Sequence, residues 1–335
     1  MEVVSPTSLS LALTLHEDGA SRYCAGGTAL QLDWAKGLAK PPRLINLSRI
    51  PGLRGVSIDA DGLHIGALTS LADLLRSADV AAAAPLLHHA LGQVAGPSIR
   101  NQATLGGNIT GRNGCLIPAL LALDADIEWM EPDGTDVMPL ERWLREGSGG
   151  ALLTRISLPK ASTGVHWTFR KIGLRAAFTP SVINAAGWLS FGPEGEVAMA
   201  RLAVGGGIVP PARLRQAEAW LAGRTAETID WAALHACLKE TITAPGDGFR
   251  SPTYRKTVAA NALVHGLGGT LPGRRTYPVA QMPAELAGAE EEIRLSREDR
   301  PGAWHTRPDM GAKVSGTLEY LTDTRQPDML VGRIL

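Results

Sequence analysis

Two glycine pairs are the residues of this chain best placed to do chemistry. One lies in RYCAGGTALQLDWAKG, residues 22–37, and the other in RNQATLGGNITGRNG, residues 100–114. A phosphate or diphosphate is held when several backbone N–H groups aim at one point. Glycine lets the chain come close and take positive φ without steric cost. Ala25-Gly26-Gly27-Thr28-Ala29 and Thr104-Leu105-Gly106-Gly107-Asn108 both meet that need, and Thr28 and Asn108 add side-chain hydrogen-bonding groups. Each adjoins a helix-like run, whose N-terminal amides favour an anion. Neither is a GxGxxG or a GxxxxGK[ST] sequence, so the arguments attached to those patterns do not apply. Taken singly, each pair reads first as a tight corner of an ordinary fold. Together they raise the alternative of one shared ligand.

Other residue types offer less. Cys24, Cys115 and Cys237 are odd in number and widely spaced, so neither a disulfide framework nor a cysteine metal site is expected. Each reads as a small buried hydrophobe. His88 and His89 are adjacent on a helical run and point in different directions, which disfavours a shared metal.

The elements that must position the glycines follow from periodicity and punctuation. SPTSLSLALTLHEDGA reads as a helix stopping at Asp18-Gly19, SRYCAGG as a short strand running into a turn, and TALQLDWAKG as a helix ending at Gly37. With the strand RLINL, residues 1–50 look βαβ-like. GVSID, an Asp61-Gly62 hairpin and LHIGAL then bring antiparallel character. LADLLRSADVAAAAPLLHHALGQVAG is helical and broken before Pro85, the second glycine turn follows, and LIPALLALDA is another helix. ADIEWMEPDGTDVMPLERWL reads as strand, Asp133-Gly134 turn, strand and helix. Further strands run through residues 151–213, then the helices QAEAWLAG, ETIDWAALHACLKETI and PTYRKTVAANALVHGL, the last stopping at Gly268-Gly269. Beyond about residue 270, Gly, Pro and charge dominate and an extended linker is expected.

The bulk numbers exclude some classes. The 335 residues can bury a large core and hold two or three domains. Lys+Arg balances Asp+Glu at 33 each, so nucleic acid and anionic membrane are poor partners. The N-terminus lacks a basic stretch followed by an apolar core, so no signal peptide is read. No apolar run is long enough to span a membrane, which points to the cytoplasm.

Taken in order, the segments resemble one family. AGGTAL followed by SIRNQATLGGNI is similar to the FAD-binding (medium) subunit of the molybdenum hydroxylases, of xanthine dehydrogenase and carbon monoxide dehydrogenase type. PPRLINLSRIPGLRGV, LHIGALTSLADLL, IPALLALDADIEW, FRKIGLRAAFTPSVINAAGWLSF and DGFRSPTYRKTVAANAL extend the resemblance over about residues 1–270. It implies an α+β chain with a vanillyl-alcohol-oxidase-type two-part FAD-binding domain over 1–163. A small α/β domain, an antiparallel sheet with helices, would occupy 164–270. A linker over 271–299 and a tail over 300–335 complete the division.

The resemblance further implies that Ala25, Gly26, Gly27, Thr28, Ala29 and Leu30 cradle the diphosphate of FAD. Thr104, Gly106, Gly107 and Asn108 would approach the flavin from the other half. Lys171 matches a lysine near the flavin, where a cation favours the reduced, anionic ring; Lys171 and Arg175 otherwise read as solvated edge-strand charges. The chain departs from the family at Cys115, which stands where an Asp is usual and is counted with the cofactor-binding positions. The acceptor for ribose or adenine is then absent, or Arg112 or Asn113 takes it over. No catalytic residue or metal ligand is assigned to this chain, which lacks the cysteine spacing of an iron–sulfur cluster.

The implied role is electron transfer. The chain would take electrons from [2Fe–2S] clusters on a small partner subunit to FAD and on to NAD⁺, a quinone or O2. Hydroxylation of an aromatic heterocycle, purine or aldehyde would occur at a molybdenum cofactor on a large partner. The competing readings are an assembly subunit that has lost FAD and a self-contained flavin oxidase. For the oxidase no covalent flavin tether or substrate base is found. The tail, REDRPGAWHTRPDMGAKVSGTLEYLTDTRQPDMLVGRIL, resembles the opening of the molybdenum-binding subunit. It reads either as part of a fused polypeptide or as an arm docking on a partner chain.

Overall fold

The computed structural model describes residues 1–16, 20–147, 151–160, 164–175 and 179–270. The expected stop at Asp18-Gly19, the linker over 271–299 and the tail over 300–335 lie outside the described residues.

Strands β1 (Glu2–Val4), β2 (Ser21–Cys24) and β3 (Arg43–Asn46) form a parallel sheet in the order β1-β3-β2. The helices Leu9–Thr14 and Thr28–Ala35 make the crossovers, as the βαβ-like reading of this region expects. Parallel strands need such connections, because a hairpin can only reverse the chain. Ala12, Leu13, Ile45, Leu47, Ile50 and Leu53 form a small core here, which Leu68 and Leu152 complete from later in the chain.

A second, five-stranded sheet is antiparallel throughout. It comprises β4 (Val56–Ile58), β5 (Gly62–Gly66), β6 (Asp126–Glu131), β7 (Gly134–Pro139) and β8 (Leu152–Pro159), in the order β4-β5-β8-β6-β7. Its buried face carries Leu63, Ile65, Ile127, Trp129, Ile156 and Leu158. Against it lie residues of the helices Leu71–Arg76, Pro85–Gln93 and Ile117–Ala122. At about 25 cal/mol per Å² of apolar area removed from water, this cluster is the main source of the fold's stability.

The third sheet, β9 (His166–Gly173), β10 (Ser181–Phe191), β11 (Val197–Gly206) and β12 (Val209–Arg213), is an antiparallel meander in the order β12-β11-β10-β9. The Pro252–Thr270 helix buries Ala259, Ala260, Leu263, Val264 and Leu267. It passes through Gly268 instead of stopping there, its apolar face continuing to Leu267. Arg213, almost wholly buried, ties this sheet to the loop after the Ile117–Ala122 helix. It donates to Glu218 Oε1 at 2.6 Å, to Asp124 Oδ1 at 2.6 Å and to the Leu121 carbonyl at 3.2 Å. Among the described residues no helix is long and apolar enough to cross a membrane.

The segment Thr69–Ser70 links β5 to the helix that begins at Leu71, and it supports the second glycine pair. Ser70 Oγ accepts the Asp73 N–H at 3.0 Å and donates to Asp73 Oδ2 at 2.7 Å, a capping arrangement at the helix start. The Ser70 hydroxyl, with Arg76 beside it, holds the Asp73 carboxyl below the usual carboxylate range. A depressed folded pKa gives stability that is present above the unfolded value, about 4, and lost as pH falls through the folded one. Urea unfolding below about pH 4 should therefore reveal an acid-labile component that Asp73→Asn removes. Ser70→Ala should cost about 1 kcal/mol at neutral pH.

Candidate functional site: a cleft between two glycine segments

The first glycine pair joins β2 to the Thr28–Ala35 helix. Gly27 caps that helix in the left-handed region, at φ 70°, and offers no side-chain acceptor. The first turn of any helix has N–H groups without intrahelical partners. Here Gln31 N–H reaches the Gly27 carbonyl at 3.0 Å, which leaves Thr28, Ala29 and Leu30 as unspent donors. The helix buries none of its side chains.

The second pair is not a turn. Gly106 and Gly107 lie in the first turn of a short helix, Leu105–Thr110, capped by Thr104. Its amides are already satisfied. Leu105 N–H donates to the Thr69 carbonyl at 3.1 Å, Gly106 N–H to the Ala67 carbonyl at 2.9 Å, Gly107 N–H to Thr104 Oγ1 at 3.1 Å and Asn108 N–H to the Thr104 carbonyl at 3.0 Å. Asn108 Oδ1 accepts from Leu116 N–H at 3.0 Å, so this side chain closes its own loop. The expectation that both pairs supply free N–H donors is therefore corrected: only the first does. The glycines of the second serve close packing. A Cβ on residue 106 would lie 2.7 Å from the Ala67 carbonyl oxygen and 2.9 Å from the Ala67 Cβ.

The two segments meet backbone to backbone. A Cβ on residue 26 would overlap the Gln102 carbonyl oxygen and lie 3.1 Å from the Ala103 nitrogen. This contact leaves a cleft of about 540 Å³ beside it. Ala25, Gly26, Gly27, Thr28, Ala29, Leu30, Thr104, Gly106, Gly107 and Asn108 all line that cleft. Leu47, Leu68 and Leu152 of the small core, with Ala67 and Leu153 of the large one, add apolar wall.

Two expected positions stand elsewhere. Cys115 is not among the lining residues; its Sγ is 3.1 Å from Ser181 Oγ on β10, and its carbonyl accepts from Asn184 Nδ2 at 3.0 Å. Cys115 thus fastens the 111–116 loop to the third sheet. Lys171, on β9, is also absent from the lining; its backbone N–H donates to Gln93 Oε1 at 3.1 Å.

The two residues named as substitutes for the missing Asp, Arg112 and Asn113, do line the cleft. Arg112 has φ 57° and holds its guanidinium 5.1 Å from the Trp143 ring centre. Asn113 Nδ2 donates to the Gly207 carbonyl at 3.3 Å. His16, Arg22, Tyr23, Asp33 and Trp143 also line the cleft without having been anticipated. Of these, Tyr23 stands on β2, two residues before Ala25. Its hydroxyl oxygen is buried with no hydrogen-bond partner among the described residues, and burial pushes its pKa up to about 12.

Residues 1–161 match the family described as the FAD binding domain in molybdopterin dehydrogenase, and residues 168–269 match the CO dehydrogenase flavoprotein C-terminal domain. The chain belongs to the FAD-binding medium subunits of the molybdenum hydroxylases. Among relatives of this medium subunit is the 6-hydroxypseudooxynicotine dehydrogenase complex subunit alpha of Paenarthrobacter nicotinovorans. It is 29% identical over 248 residues, covering 71% of this chain and 83% of that one. The carbon monoxide dehydrogenase medium chain of Afipia carboxidovorans is 28% identical over 270 residues, covering 77% and 90%. A carbon monoxide dehydrogenase structure from Hydrogenophaga pseudoflava superposes with a TM-score of 0.75 at 24% identity, over 81% of this chain and 96% of that one. At that identity the superposition speaks for the mixed α and β fold alone.

The cleft fits a dinucleotide. It has unspent helix amides for a diphosphate and arginines at residues 22 and 112. Its geometry depends on the absence of a side chain at residue 26. Gly26→Ala should destabilise the chain by about 3 kcal/mol or more, because both neighbours are backbone and cannot yield. Gly111→Ala, at φ −70° with no atom nearer than 3.6 Å to a Cβ, should be neutral or stabilising by up to about 1 kcal/mol. Chemical denaturation of the two variants side by side checks the contrast.

Proposed function

We propose that this chain is the FAD-carrying electron-transfer subunit of a molybdenum hydroxylase complex. It works in the cytoplasm with an iron–sulfur small subunit and a molybdenum-binding large subunit. The observation that carries the reading is the gathering of ten expected residues, from both glycine segments, around one cleft with free amides on one wall. The relatives named as subunits of dehydrogenase complexes support the partners.

In this reading the cleft lies between two halves of a vanillyl-alcohol-oxidase-type FAD domain, residues 1–163, and residues 164–270 form the α/β domain beside it. Each of the three sheets falls wholly on one side of that boundary, which supports the division. Thr28, Ala29 and Leu30 hold the diphosphate with their N–H groups, aided by the positive end of their helix. Thr104, Gly106, Gly107 and Asn108 form the opposite wall, already rigid before FAD arrives. Asn113, whose Oδ1 can accept, takes the place of the missing Asp at the adenine end, and Arg112, set against Trp143, adds a donor beside it. Lys171 is retained as the cation toward the flavin, supplied from β9. FAD, when bound, supplies the redox chemistry by which electrons from [2Fe–2S] clusters of a partner reach NAD⁺, a quinone or O2.

The purified full chain should contain one FAD, measured by chromatography of the flavin released on denaturation. It should regain that FAD after stripping. A chain that holds none and cannot be reconstituted would instead support the assembly-subunit reading.

A further inference from the structure

On the third sheet Trp188 of β10 stands opposite Trp167 of β9 on one side and Arg201 of β11 on the other. Side chains directly opposite across strands share a face, so the three form one continuous row. The Arg201 guanidinium lies over the Trp188 ring, 4.5 Å from its centre. Facing this row are Ala83, Ala84 and Leu86, where the helices Ala78–Ala83 and Pro85–Gln93 meet, and Leu158 and Lys160 from the end of β8. They do not close on it. A cavity of about 190 Å³ remains, and it shares no lining residue with the glycine cleft.

The charges around this cavity are one-sided. Among the described residues Lys160 and Arg201 line it and no carboxylate does. Arg201 Nε lies 2.7 Å from Asp124 Oδ2, but that carboxylate is shared with Arg213. Only 13% of the Arg201 side chain is exposed. Burial lowers its pKa, Asp124 acts against that, and Arg213 lowers it further. Its two Nη groups make no hydrogen bond among the described residues, yet they are not sealed from solvent. The same holds for the indole N–H of Trp188, a residue only 6% exposed.

We infer that this cavity binds a small planar aromatic carboxylate, its ring against the indole row and its carboxylate on the Arg201 fork, with Lys160 at the rim. Indole faces favour a flat ring, and a guanidinium with free N–H groups matches a carboxylate. The volume is well under the roughly 300 Å³ at which pockets for drug-sized ligands begin, so one ring is the fitting size. Such a ligand would join the end of β8 to the third sheet and takes no part in the glycine cleft. The inference therefore stands apart from the reading of that cleft.

The test titrates the purified full chain with 4-fluorobenzoate, read by broadening of its fluorine NMR signal, with neutral 4-fluorobenzamide for comparison. Saturable binding of the acid is expected, with a dissociation constant on the order of 1 mM or below for a ligand of this size. The amide should bind about tenfold more weakly or worse, because the charge-assisted contact is lost. Ala83→Leu, which fills the cavity from its wall, should abolish binding. Lys160→Gln, at an exposed position, should weaken it about threefold. Thermal melts check that both variants are folded, and Lys160→Gln carries the test if Ala83→Leu is not. The inference is overturned by acid and amide bound equally, by no saturable binding of the acid, or by binding that the folded variants leave unchanged. None of these results bears on the FAD reading of the glycine cleft, which flavin content tests separately.

Discussion

The site depends on one steric fact: residue 26 has no side chain, and the Gln102 carbonyl occupies the space where one would be. Two segments from distant parts of the chain can touch only because of it. One is the end of a parallel strand. The other is the entry to a short helix held by Thr69 and Ala67. Where they touch, the small core around Ile45 and the large core around Leu91 come side by side, and the cleft is the seam between them.

The two glycine segments divide the labour unequally. The second is spent on structure, with its amides bonded to Thr69, Ala67 and Thr104 and its Asn108 side chain closing the following loop. It is a fixed wall. The first has a helix that buries no side chain and a cap that offers no acceptor. Such a helix gains little from packing and keeps its donors for something else. An anion in the cleft would supply what the fold withholds from it.

Much of this was legible from local sequence. The strand–glycine–helix order of residues 21–37 follows from short-range signals, and so does the Asp61-Gly62 hairpin. Both glycine pairs drew attention because missing side chains are a covalent fact. The second was misread as a turn because glycine disfavours helix in isolation; the Thr104 cap and two long-range hydrogen bonds override that preference. Tyr23, Trp143 and Leu152 were out of reach, since they arrive at the cleft through strand pairing and packing between remote segments. Only the resemblance assigned Cys115 to the cofactor, and its actual neighbour, Ser181, is set by how β10 lies against the 111–116 loop.

The central claim is that the first glycine segment supplies free amides and the second a prebuilt wall. Amide hydrogen exchange, resolved to single residues with and without FAD, tests it most directly. The account predicts that Thr28, Ala29 and Leu30 exchange fast in the flavin-free chain and become protected when FAD binds, while Leu105, Gly106, Gly107 and Asn108 are protected in both states. Protection on binding that appears at Gly106 and Gly107 but not at residues 28–30 would contradict it.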